Sequence, residues 1–79
     1  MNPTLSDFID VISDAFSPSA GVEAGVRFRE LEDWSSMQAL IVIAAVDEHF
    51  GVTLPEKDFR KAETFEDLYE LTIGLRENV

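Results

Sequence analysis

The sequence predicts an all-α fold: a small four-helix bundle of three main helices and a short third one, forming a single domain over residues 1–79. Three observations lead there. Apolar residues recur at helical spacing near the start, the middle and the end of the chain. No segment alternates apolar and polar residues around a hairpin signal. Helix-starting and helix-stopping residues fall between the periodic segments. With 79 residues, 46% of them apolar, the chain builds one limited core.

The first helix is expected from Leu5 to Phe16, with Leu5, Phe8, Ile9, Ile12 and Phe16 on its buried stripe and Asp7, Asp10 and Asp14 on its wet side. Ser17-Pro18 stops it, because a residue before proline is pushed out of helical angles. A long loop to Asp33 follows, turning at Gly21 and Gly25 and anchored by Val22, Val26, Phe28 and Leu31. A loop this long in a small domain is either pinned or functional. The second helix runs from Ser36 to Phe50, with Ser35 as N-cap and Gly51 at the left-handed position that closes it. Pro55, in a tolerated first-turn position, introduces a short third helix from Glu56 to Lys61. Thr64 and Asp67 form a capping box for the fourth helix. Phe65, Leu68, Tyr69, Leu71 and Ile73 supply its apolar face, and Gly74 marks its end.

Sixteen acids against six Lys and Arg give a net charge of −10. That balance disfavours nucleic acid, which needs a basic footprint, and favours docking onto basic patches of other proteins. The same charge serves solubility. Arg60-Lys61 is a small basic pair read as plain surface. No cysteine is present, so the chain cannot carry a thioester on its own side chains. Met1-Asn2-Pro3-Thr4 has no basic leader, and the longest apolar run, Ala39 to Val46, is too short to span a bilayer. A cytoplasmic monomer with no membrane span is the expectation.

The second helix holds the candidate site. Ser36 stands at its start, where backbone N–H groups lack partners and a phosphate is welcome. Ala39, Val42, Ile43, Val46 and Phe50 share one face, while Met37, Ile41 and Ala44 project from another. A helix apolar all round is either buried all round or meets cargo or a partner on its second face. Trp34 is a hydrophobic plug ahead of this helix or a partner contact. Ser36 is not read as a catalytic nucleophile. The only histidine, His49, lies thirteen residues further along the same helix, about 20 Å away at 1.5 Å per residue. No metal is expected at Asp47-Glu48-His49, since adjacent helical residues point apart. The protein is therefore not expected to be an enzyme.

From Phe28 to the fourth helix the chain resembles the acyl carrier protein family, of the stand-alone type. In that family the modified serine lies fourteen residues before an aromatic residue that closes the second helix; Ser36 and Phe50 have that spacing. An apolar-proline pair follows (Leu54-Pro55), then a short third helix around Phe59-Arg60-Lys61-Ala62 and a threonine-started fourth at Thr64-Phe65. The match needs no gap. Ser35 replaces the family's aspartate before the serine, and Met37 its leucine.

The resemblance implies an acyl-carrier-like bundle with a 4′-phosphopantetheine arm on Ser36, installed from coenzyme A by a phosphopantetheinyl transferase. Acyl intermediates would ride on the arm as thioesters for acyl-loading and acyl-processing enzymes of a fatty-acid, polyketide or related biosynthesis. Partner and cargo contacts are expected at Trp34, Met37, Gln38, Ile41, Asp47, Glu48, Phe59 and Ala62, with Val46 and Leu68 as further apolar cargo contacts. Gln38 and Ile41 stand at exposed-looking positions where the family is commonly acidic, which points to a dedicated pathway with more apolar docking. Two alternatives stay open: an aminoacyl or peptidyl carrier, and an unmodified acidic helical interaction module of the same fold.

Overall fold

A computed structural model describes residues 3–15, 22–31 and 34–77. Among the described residues four α-helices follow one another: α1 (Leu5–Ala15), α2 (Ser36–Phe50), α3 (Glu56–Lys61) and α4 (Phe65–Glu77). The expected all-α bundle is the observed fold. Among the described residues there is no strand, only an isolated antiparallel bridge between Arg27 and Thr64. The expected ends and turns at Phe16, Ser17-Pro18, Gly21 and Asp33 lie outside the described residues.

Two helices open with the same reciprocal device. Before α1, the Asp7 N–H donates to Thr4 Oγ1 at 3.1 Å and the Thr4 N–H donates to Asp7 Oδ2 at 3.2 Å. Before α4, the Asp67 N–H donates to Thr64 Oγ1, and the N–H groups of Glu63 and Thr64 both donate to Asp67 Oδ2. Each box satisfies donors that a helix start leaves unpaired. The N–H bonds from Glu63 and then Thr64 hold the Asp67 carboxyl below its ordinary pKa.

Helix α1 packs against both α2 and α4, and α2 also meets α4. Phe8 and Ile12 of α1 are fully buried. The Phe8 ring stacks on Phe50 at 5.5 Å and meets the edge of Tyr69 at 5.7 Å. A second aromatic cluster lies under the loop before α2. Phe28, within a 3-10 turn at Phe28–Glu30, sits 4.9 Å from Trp34, 5.5 Å from Phe59 and 5.7 Å from Phe65. The loop is pinned by backbone bonds across the start of α4: Phe28 N–H to Glu63 O, Phe65 N–H to Val26 O and Glu66 N–H to Ala24 O.

Helix α4 departs from expectation at its end and on its face. It runs through Gly74 to Glu77. One interior glycine costs about 1 kcal/mol. Leu75 packs on the core and Arg76 donates to Phe50 O at 3.2 Å, so the last turn is held to the C-terminus of α2. The fully buried positions are Phe65, Leu68 and Thr72, with Leu71 and Ile73 half-buried beside them. Thr72 is tolerated in the core because its hydroxyl donates to Leu68 O at 2.8 Å. Pro55 caps α3 from just outside rather than occupying its first turn.

Candidate functional site

The head of α2 gives the two serines separate surroundings. Ser35 is extended (φ −151°, ψ 173°), and its Oγ accepts the Gln38 N–H at 3.3 Å. Its carbonyl receives the Ala39 N–H. Ser36 is the first helical residue and is exposed. The earliest N–H groups of α2, at Ser36 and Met37, have no intrahelical acceptor and face the positive end of the helix dipole. At the other end Gly51, at φ 68°, donates its N–H to Asp47 O and closes the helix.

Ser35 and Ser36 border a groove of about 540 Å³. Ala39, Leu40 and Ile43 continue its α2 side. Trp34 and Phe59 line it opposite, with rings stacked at 6.4 Å and 15°. Phe59 is itself buried and rests on Phe28, so this side of the groove is backed by the aromatic cluster. Its rim carries Arg29, Glu56 and Arg60. Arg29 is fixed in place: Nη2–H donates to Phe59 O at 2.8 Å and Nη1–H donates to Ala62 O, and its guanidinium lies over the Phe28 and Phe59 rings. Those carbonyls end α3, so the cation also caps that helix. Arg60 pairs with Glu56 on the exposed side of α3.

Of the residues expected to form the site, Trp34, Ser36 and Phe59 come together at this groove. Met37, one residue beyond Ser36, is 65% exposed. Gln38 is half-buried, not exposed, because α2 turns it inward; its Oε1 is buried without a hydrogen-bond partner among the described residues. Ile41 is half-buried and lies on another side of α2, in a crevice against α1 shared with Val11, Ala15, Ala44 and Glu48. Asp47 and Glu48 are exposed near the far end of α2, eleven and twelve residues past Ser36, or about 17 Å along the axis. Ala62 is buried and borders a separate hollow with Asp58, Lys61 and Leu71. Val46 and Leu68 are fully buried in the core and do not line the groove.

Leu40, Arg29, Glu56 and Arg60 line the groove without a site role read from the sequence. Leu40 was findable, since it stands four residues after Ser36 on the same helical side; it is 63% exposed. Arg29 had no local signal, because its partners lie 30 and 33 residues away. His49 borders the α1–α2 crevice rather than Ser36. Among the described residues, no group of three or more His, Cys, Asp or Glu is placed to hold a metal ion. No helix among them is long and apolar enough to cross a membrane.

Comparison of the chain with protein-family models, with curated proteins and with solved structures gives no match.

Proposed function

We propose that this protein is an acyl carrier, with a 4′-phosphopantetheine arm attached through Ser36. The observation that carries the reading is the division of labour at the head of α2: Ser35 is engaged as the cap, while Ser36 is exposed at the edge of an apolar groove. The residues present suit such an arm. The uncapped N–H groups at Ser36 and Met37 are placed to offset a phosphodiester's charge. The groove volume is within the roughly 300–1,000 Å³ of small-molecule sites.

In attachment, Ser36 Oγ would displace adenosine 3′,5′-bisphosphate from the phosphorus that bears pantetheine in coenzyme A. A P–O bond to serine forms, the P–O bond to the nucleotide breaks, and the hydroxyl proton leaves to a base of the transferase. The bound arm supplies the thiol that the cysteine-free chain lacks. The chain's own part is to present Ser36, seat the arm, and offer Met37 and Leu40 as an apolar docking surface to the transferase and to acyl-loading and acyl-processing enzymes. Asp47 and Glu48 would serve as charged contacts at the far end of α2. Gln38, Ile41 and Ala62 remain contact candidates outside the groove.

The exposed pair Met37 and Leu40 also favours a second reading, an unmodified interaction module that binds a partner through them. Intact mass decides. After incubation with coenzyme A and a broad-specificity transferase, the carrier reading expects the gain of one phosphopantetheine unit in the wild type and none in Ser36→Ala. No gain in the wild type, or a gain in the variant, overturns it.

A further inference from the structure

Although the chain is strongly acidic, its groove is not. Among the described residues that line it, two arginines, Arg29 and Arg60, stand against one carboxylate, Glu56, a net charge of +1 in a chain of −10. We propose that the groove selects a short acyl group ending in a carboxylate, its methylenes against Leu40, Ile43 and Phe59 and its anionic tip at the arginines. The proposal rests on the carrier reading of Ser36 and names the cargo class for that same groove.

The geometry supports each part. The Trp34 and Phe59 rings, backed by Phe28, fill the space on the side facing α2, which favours a short cargo. Arg29 spends two of its five N–H donors on the carbonyls of Phe59 and Ala62. Among the described residues it has no carboxylate partner. Three donors remain on a cation already held rigid by two aromatic rings. A guanidinium fixed in this way is suited to a carboxylate's paired oxygens. Arg60 is bound to Glu56 only through an exposed pair, with both side chains about three-quarters exposed, which exchanges readily for a better anion. An all-apolar cargo would leave the three remaining Arg29 donors without an anion beside it.

The test loads Ser36 from coenzyme A, hexanoyl-coenzyme A and glutaryl-coenzyme A with a broad-specificity transferase, and confirms each product by mass. Thioester aminolysis by cysteamine and the arginine side-chain N–H resonances are then compared. The glutaryl form is expected to react at least about 3-fold more slowly than the hexanoyl form and to shift the Arg29 and Arg60 Nε–H signals. Arg60→Gln, which removes no fold contact beyond the exposed pair, is expected to reduce that protection about 2-fold or more, and 0.5 M salt to weaken it. Equal rates and unshifted arginine signals in the loaded forms overturn the cargo proposal alone. Arginine shifts already complete in the unacylated arm also overturn it, by assigning the cations to the phosphodiester. Failure to load any of the three overturns the carrier reading with it.

Discussion

Trp34 and Phe59 stack across 25 residues of sequence, with ring centroids 6.4 Å apart and planes 15° from parallel. The contact ties the entrance of α2 to α3 and makes one wall of the groove. Trp34 is the only tryptophan, so its emission reports on this wall. Attaching the arm to Ser36 is expected to shift or quench that emission measurably. Ser36→Ala, treated identically, should leave it unchanged. An unaltered spectrum in protein of confirmed loaded mass would place the arm away from the groove.

The neighbouring serines separate stability from modification. Ser35→Ala removes the acceptor for the Gln38 N–H and is expected to lower stability by about 1 kcal/mol, while mass spectrometry still finds the protein loaded. Ser36→Ala touches no cap and should change urea-denaturation stability by less than about 0.5 kcal/mol, yet abolish loading. The reverse pattern would exchange the roles of the two residues.

Two glycines respond oppositely to alanine. At Gly74 an added Cβ meets nothing within 4 Å and the backbone is helical. Gly74→Ala should therefore stabilise the protein by about 0.5–1 kcal/mol. Gly51 has equal space, but its φ is +68°. Gly51→Ala should destabilise by about 1 kcal/mol. Thermal or urea unfolding of the two variants checks both signs.

Asp67 gives a pH signature. Its folded pKa is depressed by the N–H groups of Glu63 and Thr64. A carboxyl with a depressed folded pKa adds stability above its unfolded value, near 3.9 for Asp, and loses it as pH falls through the folded value. The stability difference between wild type and Asp67→Asn should thus be flat from pH 7 to about 5 and shrink below about 4. Urea unfolding across that range measures it. A difference that grows on acidification would contradict the capping geometry.

The termini of α2 and α3 were legible because they are written in local chemistry: Ser35 before Ser36, Gly51 after Phe50, Pro55 before Glu56. The Thr64–Asp67 box was legible for the same reason. The equivalent box at Thr4 and Asp7 obeyed the same spacing but was not singled out. Gly74 misled because its local preference is overridden by Arg76 reaching Phe50, 26 residues away. The direction of each α2 side chain was harder still. A helix apolar on every side has no periodic signal to tell Leu40, which faces the groove and solvent, from Ile41, which faces α1. Only the positions of α1 and α3 decide between them.

The aromatic wall of the groove divides its residues into those that tolerate change and those that do not. Phe28 and Phe59 belong to the core, and changing them would endanger the fold. Leu40, Glu56 and Arg60 are exposed, and surface substitutions usually alter stability by no more than about 0.5 kcal/mol. What occupies the groove can therefore be changed at Leu40, Glu56 and Arg60 with little effect on the bundle beneath, whereas Arg29 and Phe59 serve the fold and the groove at once.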